Sequence, residues 1–194
     1  MIVTLSGITG TGKSFFKNII VQELGFENLV IVTTRERREN ETNGIDKTFV
    51  TNDEFNKLKQ EGKLSVDFEF LGARYAYKKD NLNSARNQVT EVHYSTIYEF
   101  KKNVKDIFSI YMFPTDFERA KIELQKRHLP REIEEKRIQE MKEQIEEFSK
   151  NKELQQQFDY IFINDYTENA KEKLLKNIKS KLNKKGEILI WEKK

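Results

Sequence analysis

At 194 residues, with 37% apolar and 11% aromatic content, the chain can bury one good core, and a single domain over 1–194 is expected. The absence of cysteine excludes disulfides, thiolate metal sites and cysteine nucleophiles, and two histidines, His93 and His128, are too few for a histidine-rich metal centre. The net charge of +3 does not by itself argue for nucleic acid, and the longest apolar runs, LVIV and ILIW, are too short to span a bilayer, so neither a nucleic acid nor a membrane is expected as a partner.

In chain order, MIVTLS reads as a buried strand over 1–6, and SFFKNIIVQEL reads as a helix over 14–24 with Phe16, Ile19, Ile20 and Leu24 on one side. The N-terminus enters that strand without a signal peptide's charged and apolar regions, and a cytoplasmic protein is expected. Between strand and helix lies GITGTGKS, residues 7–14, with Gly7, Gly12, Lys13 and Ser14 in the GxxxxGKS spacing of a P-loop. At this composition the four letters would arise somewhere by chance about once in 200 such chains. Glycines at these positions let successive N–H groups turn inward around a phosphate, and the following helix adds its positive end. Lys13 then reaches the β- and γ-phosphates of a nucleoside triphosphate, and Ser14 offers its hydroxyl to Mg²⁺. A glycine-rich turn that merely joined strand to helix would have no use for Lys-Ser at that offset.

Further strand patterns fall at 29–33, 88–93, 107–113 and 159–163, alternating with helical patterns at 95–104, 115–127 and 167–183. This alternation predicts a parallel sheet covered by helices. The insertion from Arg35 to Arg86 holds short strand-like runs (TFV, VDFEF, RYAY) and a helix, NDEFNKLKQEG, and reads as a small subdomain carried on the core. Pro130 to Lys150 is a charged helix whose Ile138, Met141, Ile145 and Phe148 recur at packing spacing. The closing KKGEILIWEKK reads as a turn and an edge strand flanked by lysines.

Lysine outnumbers arginine 26 to 9, yet six arginines fall in two short segments: Arg35, Arg37 and Arg38, then Arg127, Arg131 and Arg137. The guanidinium fork binds phosphate oxygens in pairs, so the clustering reads as two separate phosphate-binding patches. Surface salt bridges could explain any one of these residues. They explain RERR less well, where the cations repel one another without an anion nearby.

Together these segments resemble the guanylate kinase family of nucleoside monophosphate kinases over nearly the whole chain. TTRERRENETNGIDKTFVTNDEF, residues 33–55, is similar to the family's TTRxxRxxExxGxDYxFVxxxEF block at Thr33, Thr34, Arg35, Arg38, Glu41, Gly44, Asp46, Phe49, Val50, Glu54 and Phe55. FLGARYAY resembles its glycine-tyrosine segment, KRHLPREIEEKRI its lid, and FDYIFIND its closing strand. The resemblance implies an α/β P-loop NTPase three-layer sandwich with a parallel central sheet. Its core would comprise 1–33, 86–119 and 151–194, with a small mixed NMP-binding subdomain at 34–85 and a helical lid at 120–150. It implies ATP-dependent phosphoryl transfer to GMP or dGMP with Mg²⁺ as cofactor, by a monomer or homodimer.

The implied ATP-binding set is Gly7, Thr9, Gly10, Thr11, Gly12, Lys13, Ser14, Phe15 and Asn164. Thr34, Arg35, Arg38, Lys47, Glu69, Tyr75 and Tyr77 form the acceptor set; Lys13, Arg38, Arg127 and Arg137 the catalytic one; Ser14 and Glu91 the metal ligands. Such a reaction needs aligned oxygens, neutralised charge and excluded water, and no protein nucleophile.

Several base-reading positions depart from the pattern. Ile31 and Tyr77 stand where the family has serines, Val66 where it has a glutamate, Lys47 where it has a tyrosine, and Glu91 and His93 where it has aspartates. Replacing buried donors and acceptors changes or relaxes base selectivity. Asp67 or Glu69 can stand in for the glutamate after a register shift; Tyr75 either contacts phosphate or fills the subdomain's core; Glu91 either holds Mg²⁺ through water or accepts a surface bond. Two other readings stay open: a P-loop kinase for another nucleotide or a phosphorylated sugar, and a non-catalytic peptide-binding module, which the intact loop disfavours.

Overall fold

The computed structural model describes residues 1–39, 41–70 and 72–191, with residues 184–191 described by their backbone alone. Strand β1 (Ile2–Gly7) is buried from Ile2 to Ser6, as a parallel strand covered on both faces must be. After it come α1 (Lys13–Leu24), β2 (Glu27–Asn28), β3 (Ile31–Thr33), β4 (Lys47–Phe49), α2 (Asn52–Gln60), β5 (Leu64–Phe70), β6 (Ala73–Lys78) and α3 (Lys79–Leu82). The second half comprises β7 (Gln88–Glu91), a 3₁₀ turn (Tyr94–Thr96), α4 (Ile97–Asn103), β8 (Ile107–Pro114), α5 (Phe117–Gln125), α6 (Arg131–Lys150), α7 (Lys152–Gln156), β9 (Tyr160–Asn164) and α8 (Glu168–Trp191).

The central sheet has the order β2-β7-β1-β8-β9 and is parallel throughout. Alternation along its strands feeds two cores. Val3 and Leu5 of β1 and Ile110 and Met112 of β8 pack with Phe16 and Ile20 of α1 and Leu174 and Ile178 of α8. Ile2 and Tyr111 point to the other face, among Phe100 of α4, Phe148 of α6 and Phe158. The Tyr111 and Phe148 rings stack with centroids 3.5 Å apart, which ties the far end of α6 to the sheet. Phe148→Ala should therefore cost about 3–5 kcal/mol in urea or thermal unfolding, and a loss below about 1 kcal/mol would mean that another contact anchors α6.

A second sheet, β4-β3-β6-β5, mixes a parallel β3–β4 pair with antiparallel β3–β6 and β5–β6 pairs. Helix α2 opens on a capping box between Thr51 and Glu54 and seats Phe55 among Val32, Leu64 and Ala76 on one face of this sheet. Helices α5 and α6 form a hairpin with a small core of its own, Ala120, Leu124 and Met141, flanked by Leu129 and Ile138.

Two elements differ from expectation. The run over 29–33 does not form a central strand: β2 pairs with β7 in the central sheet, while β3 pairs with β4 and β6 in the small one. The apolar run LVIV suits burial in either sheet, and its pattern does not say which. The expected turn and edge strand at the C-terminus are instead the continuation of α8 to Trp191; residues 192–194 of that expectation lie outside the described residues. A four-residue apolar run reads alike in strand and helix, and Gly186, with no proline after it, costs only about 1 kcal/mol in a helix interior.

Candidate active site

The loop between β1 and α1 takes backbone conformations that side chains resist: φ is +134° at Gly7, +84° at Gly10 and +82° at Gly12. A Cβ on Gly7 would lie 2.2 Å from the Met112 carbonyl oxygen, and one on Gly10 2.2 Å from that of Ala120, so the loop is wedged against β8 and α5. Three side chains brace it. The Thr11 hydroxyl donates to the Ile8 carbonyl (2.8 Å), the Asn164 amide to the Thr11 carbonyl (3.1 Å) and the Tyr166 hydroxyl to the Gly10 carbonyl (3.1 Å). Asn164 thus holds the loop from behind, its amide nitrogen engaged by protein, and Thr11 is buried for the same reason. Thr9 is half-buried; Ser14 and Phe15 are exposed beside the loop.

Helix α1 begins at Gly12 with no side-chain cap and no acidic residue in its first turn, whereas α2 and α5 are capped by Thr51 and Asp116. An uncapped N-terminus at the mouth of a glycine loop presents its N–H groups and positive dipole end to an anion.

The Lys13 ammonium donates to the Gly7 (2.8 Å) and Ile8 (2.7 Å) carbonyls. Burial lowers its pKa to about 8; Glu91 opposes the shift, and the positive charges of Arg127 and Arg137 add to it. The α5–α6 hairpin thus brings two of the sequence-predicted arginines into the electrostatic range of the loop lysine. Arg127 is exposed just after α5, and Arg137 is half-buried and held by Glu140 at 2.9 Å. Arg131, by contrast, makes an exposed i,i+4 pair with Glu135.

A second cationic group lies at the edge of the small sheet. The Arg35 guanidinium donates twice to Glu41 (2.7 and 2.8 Å), whose carboxylate also accepts from the Arg38 amide (3.0 Å). Against the cost of burial, these bonds hold the Glu41 carboxyl below its ordinary range. Lys47 is pulled below the usual lysine range by burial first, with Lys17 and Arg35 contributing repulsion and Glu91 and Glu41 opposing. Glu91, at the end of β7, lies 3.7 Å from Lys17 and influences both Lys13 and Lys47, so it sits between the two cationic groups. The Arg38 side chain is exposed, and the Thr34 hydroxyl accepts from the Arg74 amide (3.0 Å).

Two predicted acceptor residues are placed elsewhere. Tyr77 is 1% exposed, with its hydroxyl 3.2 Å from Thr90 Oγ1, and serves as packing between the sheets. Glu69 pairs across the sheet with Arg74, which lies over the Phe55 ring, so Glu69 belongs to the α2 face. Asp67, the other candidate stand-in, is ion-paired with Lys59 of α2 on that same face. The cause is a β-bulge between Ser65 and Phe68, where Val66 takes φ +53° and the register shifts. Tyr75 stays half-buried on the opposite face, stacked on Phe68.

Sequence reading missed Lys17 and Tyr166. Lys17 had a signal, since it lies one helical turn after Lys13 and shares its face. Tyr166, with φ +61°, had none, because its contact with Gly10 spans 156 positions.

A triphosphate loop, a separate cationic edge facing it across one carboxylate, and arginines on a helical hairpin describe a P-loop kinase of the nucleoside monophosphate class. Comparison with known proteins agrees: the family model described as guanylate kinase matches residues 1–181. The guanylate kinase of Malacoplasma penetrans is 30% identical over 181 residues, spanning 89% of each chain, and that of Lactococcus lactis subsp. lactis is 28% identical over 186 residues, spanning 93% of this chain and 87% of its own. The crystal structure of guanylate kinase from Anaplasma phagocytophilum shares the fold, with a TM-score of 0.68 at 19% identity over 93% of this chain and 85% of that one. The chain belongs to the guanylate kinase family.

Proposed function

We propose that this protein transfers the γ-phosphoryl group of ATP to GMP or dGMP, giving ADP and the nucleoside diphosphate. The observation that carries this reading is the intact, uncapped phosphate loop with Arg127 and Arg137 close enough to depress the pKa of Lys13. In this reading the loop amides and Lys13 hold the donor's β- and γ-phosphates, Arg35, Arg38, Lys47 and Tyr75 receive the acceptor's phosphate, and Arg127 and Arg137 offset charge on the transferring group. The hairpin that carries those two arginines also excludes water when it closes over both substrates.

The residues present suit Mg²⁺, which prefers one or two protein oxygens with phosphates and water to an all-protein cage: Ser14 is exposed at the helix start, Glu91 is near Lys13, and no cluster of three or more His, Asp or Glu able to hold a metal occurs among the described residues. Bound there, the ion would draw off negative charge from the β- and γ-phosphate oxygens. No helix among the described residues is long and apolar enough to cross a membrane, and we place the enzyme in the cytoplasm, as a monomer or homodimer, since one chain carries both cationic groups.

The test is ADP formation with ATP, Mg²⁺ and a panel of monophosphates. Turnover of GMP and dGMP is expected; no turnover with any member would favour a peptide-binding scaffold.

The lysine supplies a pH dependence. In the free enzyme Lys13 keeps its proton below pH about 8 and loses it above. The kcat/KM for ATP should therefore fall above pH about 8, approaching a limit of about tenfold per unit, whereas kcat should hold to higher pH because the bound triphosphate favours the ammonium form. A kcat/KM profile flat to pH about 10 would overturn this assignment of Lys13.

A further inference from the structure

Four carbonyls of the phosphate loop are held by side chains: Gly7 and Ile8 by the Lys13 ammonium, Gly10 by the Tyr166 hydroxyl (3.1 Å) and Thr11 by the Asn164 amide (3.1 Å). Its amides stand open, since the N–H groups of Gly12 to Phe15 meet no acceptor among the described residues. A trans peptide points its C=O and N–H in opposite directions, so a group that fixes one carbonyl from behind aims the next residue's N–H away from itself. Asn164 therefore aims the Gly12 amide, and Tyr166 the Thr11 amide.

Tyr166, in the turn between β9 and α8, acts on Asn164 as well. Its own N–H donates to Asn164 Oδ1 (2.8 Å), which leaves the amide nitrogen of that buried side chain facing Thr11. One residue thus governs two successive peptide planes. To do so it takes φ +61°, a left-handed conformation that bulky side chains rarely adopt and that persists where the surroundings over-determine it. Those surroundings are specific. The Arg119 guanidinium of α5 lies over the Tyr166 ring at 5.4 Å, and the next residue, Ala120, sets its carbonyl against Gly10, where an added Cβ would lie 2.2 Å away. Burial, with the Glu123 charge adding to it, raises the Tyr166 hydroxyl to about 12, so it keeps the proton that it donates.

Resting on the kinase reading above, we propose that Tyr166 is a positioning residue for the donor: it sets the Gly10 and Thr11 peptide planes so that the loop's amides converge on the triphosphate, and it acts through the loop rather than by touching the nucleoside. A neutral hydrogen bond of this kind is worth about two- to tenfold in an equilibrium constant. Its contacts are with Gly10, Asn164 and Arg119, none of them in the acceptor set, so the acceptor should bind as before.

The experiment measures by calorimetry, with Mg²⁺ present, the binding of ATP and of inorganic triphosphate, which has neither base nor ribose, to the parent and to Tyr166→Phe. That variant keeps the ring under Arg119 and removes only the hydroxyl. Both ligands should bind about fivefold more weakly and by the same factor, with KM for GMP unchanged in the kinase assay. Weaker ATP with unaltered triphosphate would place Tyr166 against the nucleoside and overturn the proposal. Unaltered binding of both would overturn it too, as would an equal rise in KM for GMP, which marks a general loosening. Tyr160→Phe is the control, because it removes a half-buried hydroxyl of the neighbouring strand, 3.4 Å from the Asn177 amide, and should leave all three values at those of the parent. If it weakened ATP and triphosphate as much, no special part would remain for Tyr166. The kinase reading is tested separately: a parent that bound ATP and triphosphate but turned over no monophosphate would refute that reading alone, and a parent that bound neither would refute both.

Discussion

Lys13→Ala is expected to lower kcat/KM for the proposed reaction by about 10³-fold while the protein remains folded. The ammonium sits within the loop, its pKa depressed by burial and by Arg127 and Arg137, and nothing else among the described residues occupies that position. A desolvated cation beside developing phosphoryl charge acts at low effective dielectric, where one positive charge weighs far more than on the surface. The fold should survive because the loop is braced by Thr11, Asn164 and Tyr166 as well as by Lys13. Circular dichroism and the thermal midpoint would report that directly. Lys13→Arg makes the sharper comparison: it keeps the charge but its planar fork is bulkier than an ammonium, so most of the loss should remain. Activity within about tenfold of the parent in Lys13→Ala would mean that the loop does not hold the donor's phosphates in the way proposed.

What could be read from the sequence, and what could not, divides along the range of the interactions. The phosphate loop was legible because four letters at fixed spacing, with a strand before and a helix after, are a local requirement. Helix α2 was legible for the same reason: its capping box and Phe55 lie within one short segment. The face on which Asp67 and Glu69 stand was not. Period-2 alternation puts them on one face together, but the choice of face depends on the bulge at Val66, and a β-branched residue at positive φ announces nothing in the sequence. Tyr77 is buried by Thr90 and Phe100, residues of other elements that no window around position 77 includes. The destination of β3 was hidden likewise, since its apolar residues satisfy either sheet and the pairing with Tyr75 to Tyr77 decides. The cationic groups fall in between. Arginine clustering pointed to two patches, and the hairpin places Arg127 and Arg137 near Lys13, but it turns Arg131 to an outward pair with Glu135.

The second large effect should come from a single methyl group. Gly7→Ala would set a Cβ 2.2 Å from the Met112 carbonyl oxygen of β8, at a backbone φ of +134° that L side chains rarely adopt. Neither atom can yield cheaply: Gly7 and Met112 are register partners in adjacent parallel strands, so relief requires prying β1 from β8 at the end where the loop begins. Overpacking costs about 1–3 kcal/mol and a disallowed φ about as much again, so a loss of roughly 3–5 kcal/mol is expected. For a chain of this length that lowers the thermal midpoint by about 10–15 °C. The same displacement moves the loop's first amides, so ATP affinity should fall together with stability. Gly62→Ala is the internal control: φ there is +68° but no atom lies within 4 Å of the added carbon, so only the backbone cost of about 1 kcal/mol remains. If both variants lost the same stability, the close approach of loop and strand would carry no weight, and the glycine at position 7 would be serving its dihedral angle alone.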